Sequence, residues 1–296
     1  MDYTGLDLSG LSSYRSQFTM KWSGTDDSGK AVEGSFTVTA EYTTDPPASH
    51  TFWEGTATGT ETGAGKFEML QIGGTSYIIS SETGTEGQCV SFSSDSMPDQ
   101  TPLFTPDSFL SGSDLSKAQR IQPDETVNGM LTRHFRATQN DVQLTGGLSN
   151  YTVDVWVAAD GGYPVRSTMV ADGNLATLGT GNGHIEWTYD LLDVNSAVTI
   201  ELPAGCEEPA GGDFPKMPDA AGSTSFGKIT TYTTASSIAD VVAFYQAQLP
   251  PLGWVAGTAS TDTPGFATLE FTRGDEKVTV TITESDGKTT VLISFE

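Results

Sequence analysis

The chain has 296 residues, with 14 Lys and Arg against 38 Asp and Glu, a formal net charge of −24. Such a surface excludes a free-standing nucleic-acid binder, which needs cations to neutralise phosphates, and disfavours attachment to anionic headgroups by charge alone. The length suits two domains or one large β domain, and no run approaches the roughly 20 apolar residues of a membrane-spanning helix.

Met1 is followed at once by Asp2, Tyr3 and Thr4, without an apolar leader. The polar, Lys-poor composition is that of an exported protein, so Met1 is read as a start replacing a removed export signal and its lipid anchor. Leu6, Leu8 and Leu11 lie in a short, helix-compatible entry segment. From Tyr14 the period becomes two, with Tyr14, Phe18, Met20 and Trp22 on one face and Arg15, Thr19 and Lys21 on the other. Asp26-Asp27-Ser28-Gly29-Lys30 lacks the D-x-[DN]-x-[DN]-G spacing of a calcium loop and reads as a hairpin turn. Val32, Phe36, Val38, Ala40 and Tyr42 then alternate in a second strand.

A weakly marked third strand is predicted over 51–58, a hairpin over 66–80 around Gly73-Gly74, and a short strand over 89–92. The pattern breaks at 93–122. Thr105 as N-cap and Pro106 at the first helical position open a short helix through Phe109 and Leu110, with a second helix predicted over 114–119. One strand is predicted over 126–137, then a hairpin over 151–170. In that hairpin Val153, Val155 and Val157 alternate with Asp154 and Trp156, and Asp160-Gly161-Gly162 turns the chain into Pro164. Strands over 185–191 and 198–202 complete the run.

Residues 207–222 read as a linker rich in Gly and Pro. Beyond it, a strand over 228–233 precedes a helix capped by Ser237 with Asp240 three residues on. Its apolar stripe is Ile238, Val241, Val242, Tyr245 and Leu249, and Pro250-Pro251 ends it. Strands over 266–273, 277–284 and 289–295 follow.

Cys89 and Cys206 fit neither metal-ligand nor C-x-x-C spacing. A structural disulfide is expected, with two unrelated buried thiols as the alternative. His50, His134 and His184 are dispersed, no G-x-S-x-G elbow or P-loop is present, and neither cofactor nor metal is expected. Asp154 and Glu186 are a conceivable carboxylate pair on neighbouring strands, more economically read as solvated strand residues. No enzyme is predicted.

Three stretches carry a resemblance: VDVWVAADGGYPVR at 153–166, ETVNG at 125–129, and 195–203, with the pattern N-x-x-V-x-I-x-x-P. In order and spacing they resemble the LolA/LolB-like lipoprotein-carrier superfamily, which includes mycobacterial glycolipid-carrier lipoproteins, over residues 6–206. The module after the linker, with Val241-Val242-Ala243-Phe244-Tyr245 and Gly253-Trp254, resembles one appended to exported bacterial lipoproteins. The resemblance implies a mainly β fold: a curved antiparallel half-barrel with a short helical lid (1–206), a linker (207–222), and a one-helix, four-stranded antiparallel α+β domain (223–296). It implies an apolar cavity for a lipid or acyl chain, and the nominated lining is Phe18, Met20, Trp22, Phe36 and Val38, with Phe104, Phe109 and Leu110 from the lid. Trp156 is assigned either to that cavity or to the opposite face. A cell-surface binding or scaffold protein on the same fold is the alternative, with a protein partner docking on the second domain.

Overall fold

The computed structural model describes residues 8–58, 65–82, 88–94, 117–142, 147–178, 180–204, 206–208, 210, 214–263, 265–285 and 287–296. The chain divides into two compact units. Unit 1 comprises Met1–Leu70, Ile79–Gln88 and Thr101–Glu201; unit 2 comprises Gln71–Ile78, Cys89–Gln100 and Leu202–Glu296. Antiparallel strands dominate, with a single short α-helix among the described residues, and the sheet is an open half-barrel rather than a closed barrel.

The first eleven strands are β1 (Ser13–Thr25), β2 (Ala31–Thr44), β3 (Pro47–Thr58), β4 (Gly65–Ile72), β5 (Thr75–Glu82), β6 (Gln88–Ser94), β7 (Gln119–Val127), β8 (Met130–Thr138), β9 (Leu148–Ala158), β10 (Pro164–Asn174) and β11 (Asn182–Leu192). In unit 1 the spatial order is β7-β8-β9-β10-β11-β1-β2-β3, antiparallel throughout. The N-terminal strand is therefore central, hydrogen-bonded to β2 on one side and β11 on the other. β4 follows β3, with Lys66 Nζ 3.1 Å from Glu54 and His50 Nε2 3.3 Å from Glu68.

Period-two alternation gives this sheet two chemically different faces. One carries Phe18, Val38, Val153, Val155, Phe135, Trp187 and Tyr189, all buried in a single cluster that Leu8, Leu11, Val142 and Leu175 from the connections join. The other is laced with ion pairs, among them Arg15 with Glu41 at 2.6 Å and Asp193 at 3.0 Å, and Arg166 with Asp190 at 2.7 Å.

The 151–170 hairpin is present as β9 and β10, with Gly161 and Gly162 at positive φ and Pro164 opening the return strand. The turn at Asp26 is an Asx-type loop: its Oδ1 accepts from the backbone N–H groups of Ser28 and Lys30, both at 2.9 Å. Two expectations change. The strand over 126–137 is two strands folded at Asn128-Gly129, both with positive φ, a turn that suits a two-residue hairpin. Residues 197–203 form no strand; Val198 is buried outside any ladder. The predicted helices at 105–110 and 114–119 lie largely outside the described residues.

Unit 2 contains β12 (Ala221–Phe226), β13 (Ile229–Thr234), α1 (Ile238–Gln248), β14 (Val255–Thr263), β15 (Phe266–Arg273), β16 (Glu276–Ser285) and β17 (Lys288–Phe295). Its ladder runs β6-β12-β13-β17-β16-β15-β14. The sheet adds β12 and β14 to the four strands legible in sequence. These two are rich in Gly, Ala, Ser and Thr, and backbone pairing sustains them without an apolar stripe. The Ser237–Asp240 capping box is formed, and Val241 and Tyr245 of α1, with its C-cap Leu249, pack in one cluster with Leu269, Phe271, Val280, Ile282, Val291 and Ile293. Tyr232 and Tyr245 share a buried hydroxyl–hydroxyl hydrogen bond of 2.9 Å.

Cys89 and Cys206 form a disulfide within unit 2, with Cα atoms 5.2 Å apart and a sequence separation of 117. The bond fits an oxidising compartment. Cross-links of this span restrict the unfolded chain most. Cys206→Ser is expected to lower the unfolding free energy by about 2–5 kcal/mol, read as a shift in the guanidinium midpoint. Equal midpoints with and without the bond would contradict this.

Candidate functional site

The strand registers place the apolar face of unit 1 in rows. One row runs Phe135, Val155, Ser167, Tyr189, Phe18, Val38 and Trp53 across seven strands. The next runs Ala137, Val153, Met169, Trp187, Met20, Phe36 and Gly55. Beyond these, Trp22 stands between Ile185 and Gly34. Five of the nominated residues, Phe18, Met20, Trp22, Phe36 and Val38, thus share one face and one cluster.

Aromatic rings continue across this face. Phe18 lies 5.6 Å from Phe36 and 5.8 Å from Trp187 between ring centroids, and Phe36 lies 6.2 Å from Trp22 and 6.1 Å from Trp53. Such offset, tilted pairs are favourable beyond the area they bury. Phe18 and Val38 are buried to 1% and 2% exposure, whereas Trp22, Phe36 and Trp53 are only partly buried. The face therefore passes from a closed middle at β9–β1 to a more open flank at β1–β3. Glycine makes that flank possible. A Cβ on Gly34 would stand 2.1 Å from the Trp22 ring, and one on Gly55 would stand 2.8 Å from the Trp53 ring.

Trp156 is not part of this group. It sits on the opposite face, stacked on His134 at 4.2 Å and donating from Nε1 to Glu125 Oε1 at 2.6 Å. Strand parity decides this: Val153, Val155 and Val157 take the apolar side, and Trp156 between them cannot. Phe104, Phe109 and Leu110 lie outside the described residues. Trp53, Met169, Trp187 and Tyr189 join the face without having been nominated. The alternation of Trp187 and Tyr189 was legible in sequence, but the strand order that sets them beside β1 was not.

The titratable groups gather on the other face. His134 Nε2 is 2.5 Å from Asp154 Oδ1, its Nδ1 is 3.4 Å from Glu125, and Arg136 Nε donates to the same Asp154 oxygen at 2.8 Å. Asp154 and Glu186 are not on adjacent strands, because β10 runs between β9 and β11. Each belongs to its own polar cluster. Glu186 borders an open cleft of about 400 Å3, lined by Lys21, Ser23, Glu33, Ser35, Thr56 and His184, with Trp22 and Gly34 also contributing. His184 Nδ1 is 2.8 Å from Asp172 Oδ1 and its Nε2 is 3.3 Å from Glu186.

Residues 216–288 match the family model described as START domain-like. That match falls in unit 2, outside the 6–206 stretch that resembles lipoprotein carriers. No curated protein sequence matches the chain. Among solved structures, one titled "Crystal structure of MucB" is 14% identical, with 96% of this chain and 87% of that chain covered and a TM-score of 0.25.

Two outcomes follow from this geometry. Gly34→Ala is expected to displace the Trp22 ring, destabilise unit 1 by about 1–3 kcal/mol and shift tryptophan emission; an unchanged spectrum and stability would contradict the close approach. The Asp172 hydrogen bond raises the His184 pKa above the ordinary value, with Glu186 contributing. A histidine raised in the folded state contributes stability that is complete below its unfolded pKa of about 6.5 and is lost as pH rises through the folded value. An NMR titration of His184 is expected to show a midpoint above that of Asp172→Asn; coincident midpoints would contradict the pairing.

Proposed function

We propose that this protein is an extracytoplasmic binder or carrier of a lipid or lipidated molecule, held against the apolar face of the first domain. The observation that carries the reading is the convergence of Phe18, Met20, Trp22, Phe36 and Val38 on one aromatic-rich face. An apolar ligand gains about 25 cal/mol per Å2 removed from water, and methionine with mixed aromatics adapts to irregular chains. Phe104, Phe109 and Leu110 would close the ligand from the lid. The START domain-like match and the disulfide support a ligand-binding protein of an oxidising compartment. The chain works as a first domain over 1–206, a linker over 207–222 and a second domain over 223–296, held at the membrane by an N-terminal lipid anchor. The ionisable clusters of the outer face are internally paired, which favours binding over catalysis.

A second reading, a surface scaffold, draws on Phe226, Ile229 and Leu292, which are 59%, 43% and 39% exposed in unit 2. Here a protein partner docks on the second domain without any lipid.

Titration of the delipidated full chain with a fluorescent acyl probe separates the two. The carrier reading predicts saturable binding, weakened roughly tenfold by Phe36→Asp, which sets a charge in the apolar face. Circular dichroism reports whether that variant folds. No binding by the folded wild-type chain would contradict the carrier reading and leave the scaffold.

A further inference from the structure

The open cleft of about 400 Å3 on the outer face of unit 1 is bordered by two rows of polar side chains. In the first row Glu186 of β11, Lys21 of β1, Ser35 of β2 and Thr56 of β3 stand in register. In the second, two residues along each strand, His184, Ser23 and Glu33 stand in register. Trp22 and Gly34 lie between the rows and complete the lining. Rows so related are about 6.6 Å apart, on strands about 4.8 Å apart. The cleft is therefore a trough running across the strands.

Lys21 is the group that the fold leaves unused. It is exposed and has no ion pair or hydrogen bond among the described residues, although Glu186 and Ser35 stand opposite it. By contrast, Arg15, Arg136 and Arg166 of the same face are each bonded to a carboxylate. Glu186 uses one oxygen toward His184 Nε2 at 3.3 Å, and the Ser35 and Thr56 hydroxyls lie 3.2 Å apart. The trough thus offers an ammonium that only donates, carboxylates that only accept, and hydroxyls that do both.

Charge narrows the class of ligand. A phosphate or sulfate in the trough would meet Glu33 and Glu186, and a polyamine would meet Lys21, each at like charge. A hydrocarbon would strip water from these groups without replacing its hydrogen bonds. A neutral polyol meets neither penalty, because each of its hydroxyls donates once and accepts twice. The row across four strands spans about 14 Å, which suits a short oligosaccharide better than a single small solute.

We propose that this trough binds a neutral oligosaccharide, with Lys21 and Glu186 as its central donor and acceptor. It lies on the face opposite the aromatic cluster, so it goes beyond the lipid-binding reading and does not depend on it.

The test is binding of the labelled full chain to an array of neutral, sialylated and sulfated oligosaccharides, then calorimetry with the neutral glycan retained most strongly. Saturable binding of a neutral glycan is expected, with charged glycans bound more weakly. Lys21→Met should weaken it about tenfold, the scale of one hydrogen bond to a charged group, and Glu186→Gln about three- to tenfold. The His184 imidazole resonances should shift when the glycan is added, and stay in place with inorganic phosphate or spermidine. Retention of no neutral glycan, preference for charged glycans, or equal affinity in wild type and both variants would overturn the inference. So would a bound glycan that leaves His184 unmoved. The His184 shift in the wild-type chain decides the location even where a variant does not fold. Failure of acyl-probe binding would leave all these outcomes as they stand.

Discussion

The register of β1 between β2 and β11 is the constraint on which unit 1 depends. Phe18 stands opposite both Val38 and Tyr189, and Met20 opposite both Phe36 and Trp187. Because side chains alternate with period two, a slip of one residue on either side would exchange the apolar row for Thr19, Lys21, Thr37 and Glu186. The two long ladders therefore fix, together, which residues enter the apolar cluster and which lie on the ion-paired outer face. Ion pairs from Arg15 to Glu41 and Asp193 tie β1 to both sides at one end of the strand, on the outer face. As exposed pairs they contribute little stability individually, but they penalise the slipped registers.

The same alternation accounts for the distribution of chemistry. All three histidines have carboxylate partners on the outer face, where solvent and neighbouring strands can satisfy charge. The apolar face holds rings, thioethers and branched aliphatics, with Gly34 and Gly55 giving Trp22 and Trp53 room to lie against the sheet. Unit 2 solves a different packing problem. Its helix covers a sheet face whose side chains, from Val278 and Val280 to Val291 and Ile293, are completely buried.

Much of this was legible in the sequence, for identifiable reasons. The alternation of Tyr14 through Trp22, of Val153 through Val157 and of Ile185 through Leu191 specifies faces without reference to any partner strand, and the capping residues Ser237 and Asp240 specify the start of α1 locally. What required the structure was pairing at long range: β1 with β11, and β6 with β12. The Asn128-Gly129 turn was a readable hairpin signal that the continuing apolar residues on either side obscured. Trp156 had two possible faces until the parity of β9 placed it over His134. The strands β12 and β14 were hidden because strands of small and hydroxylated residues carry almost no apolar pattern. The burial of Ser167 was invisible to any reading of composition, since a serine in a strand looks solvent-facing until burial shows otherwise.

The central claim, that the apolar face of the first domain holds an acyl ligand, is tested most directly by native mass spectrometry of the full chain purified without delipidation. The account predicts a species heavier than the polypeptide by the mass of one or a few acyl lipids, converted to the bare mass by organic extraction. Bare polypeptide mass alone, in preparations from an exporting host grown with its own lipids, would contradict it.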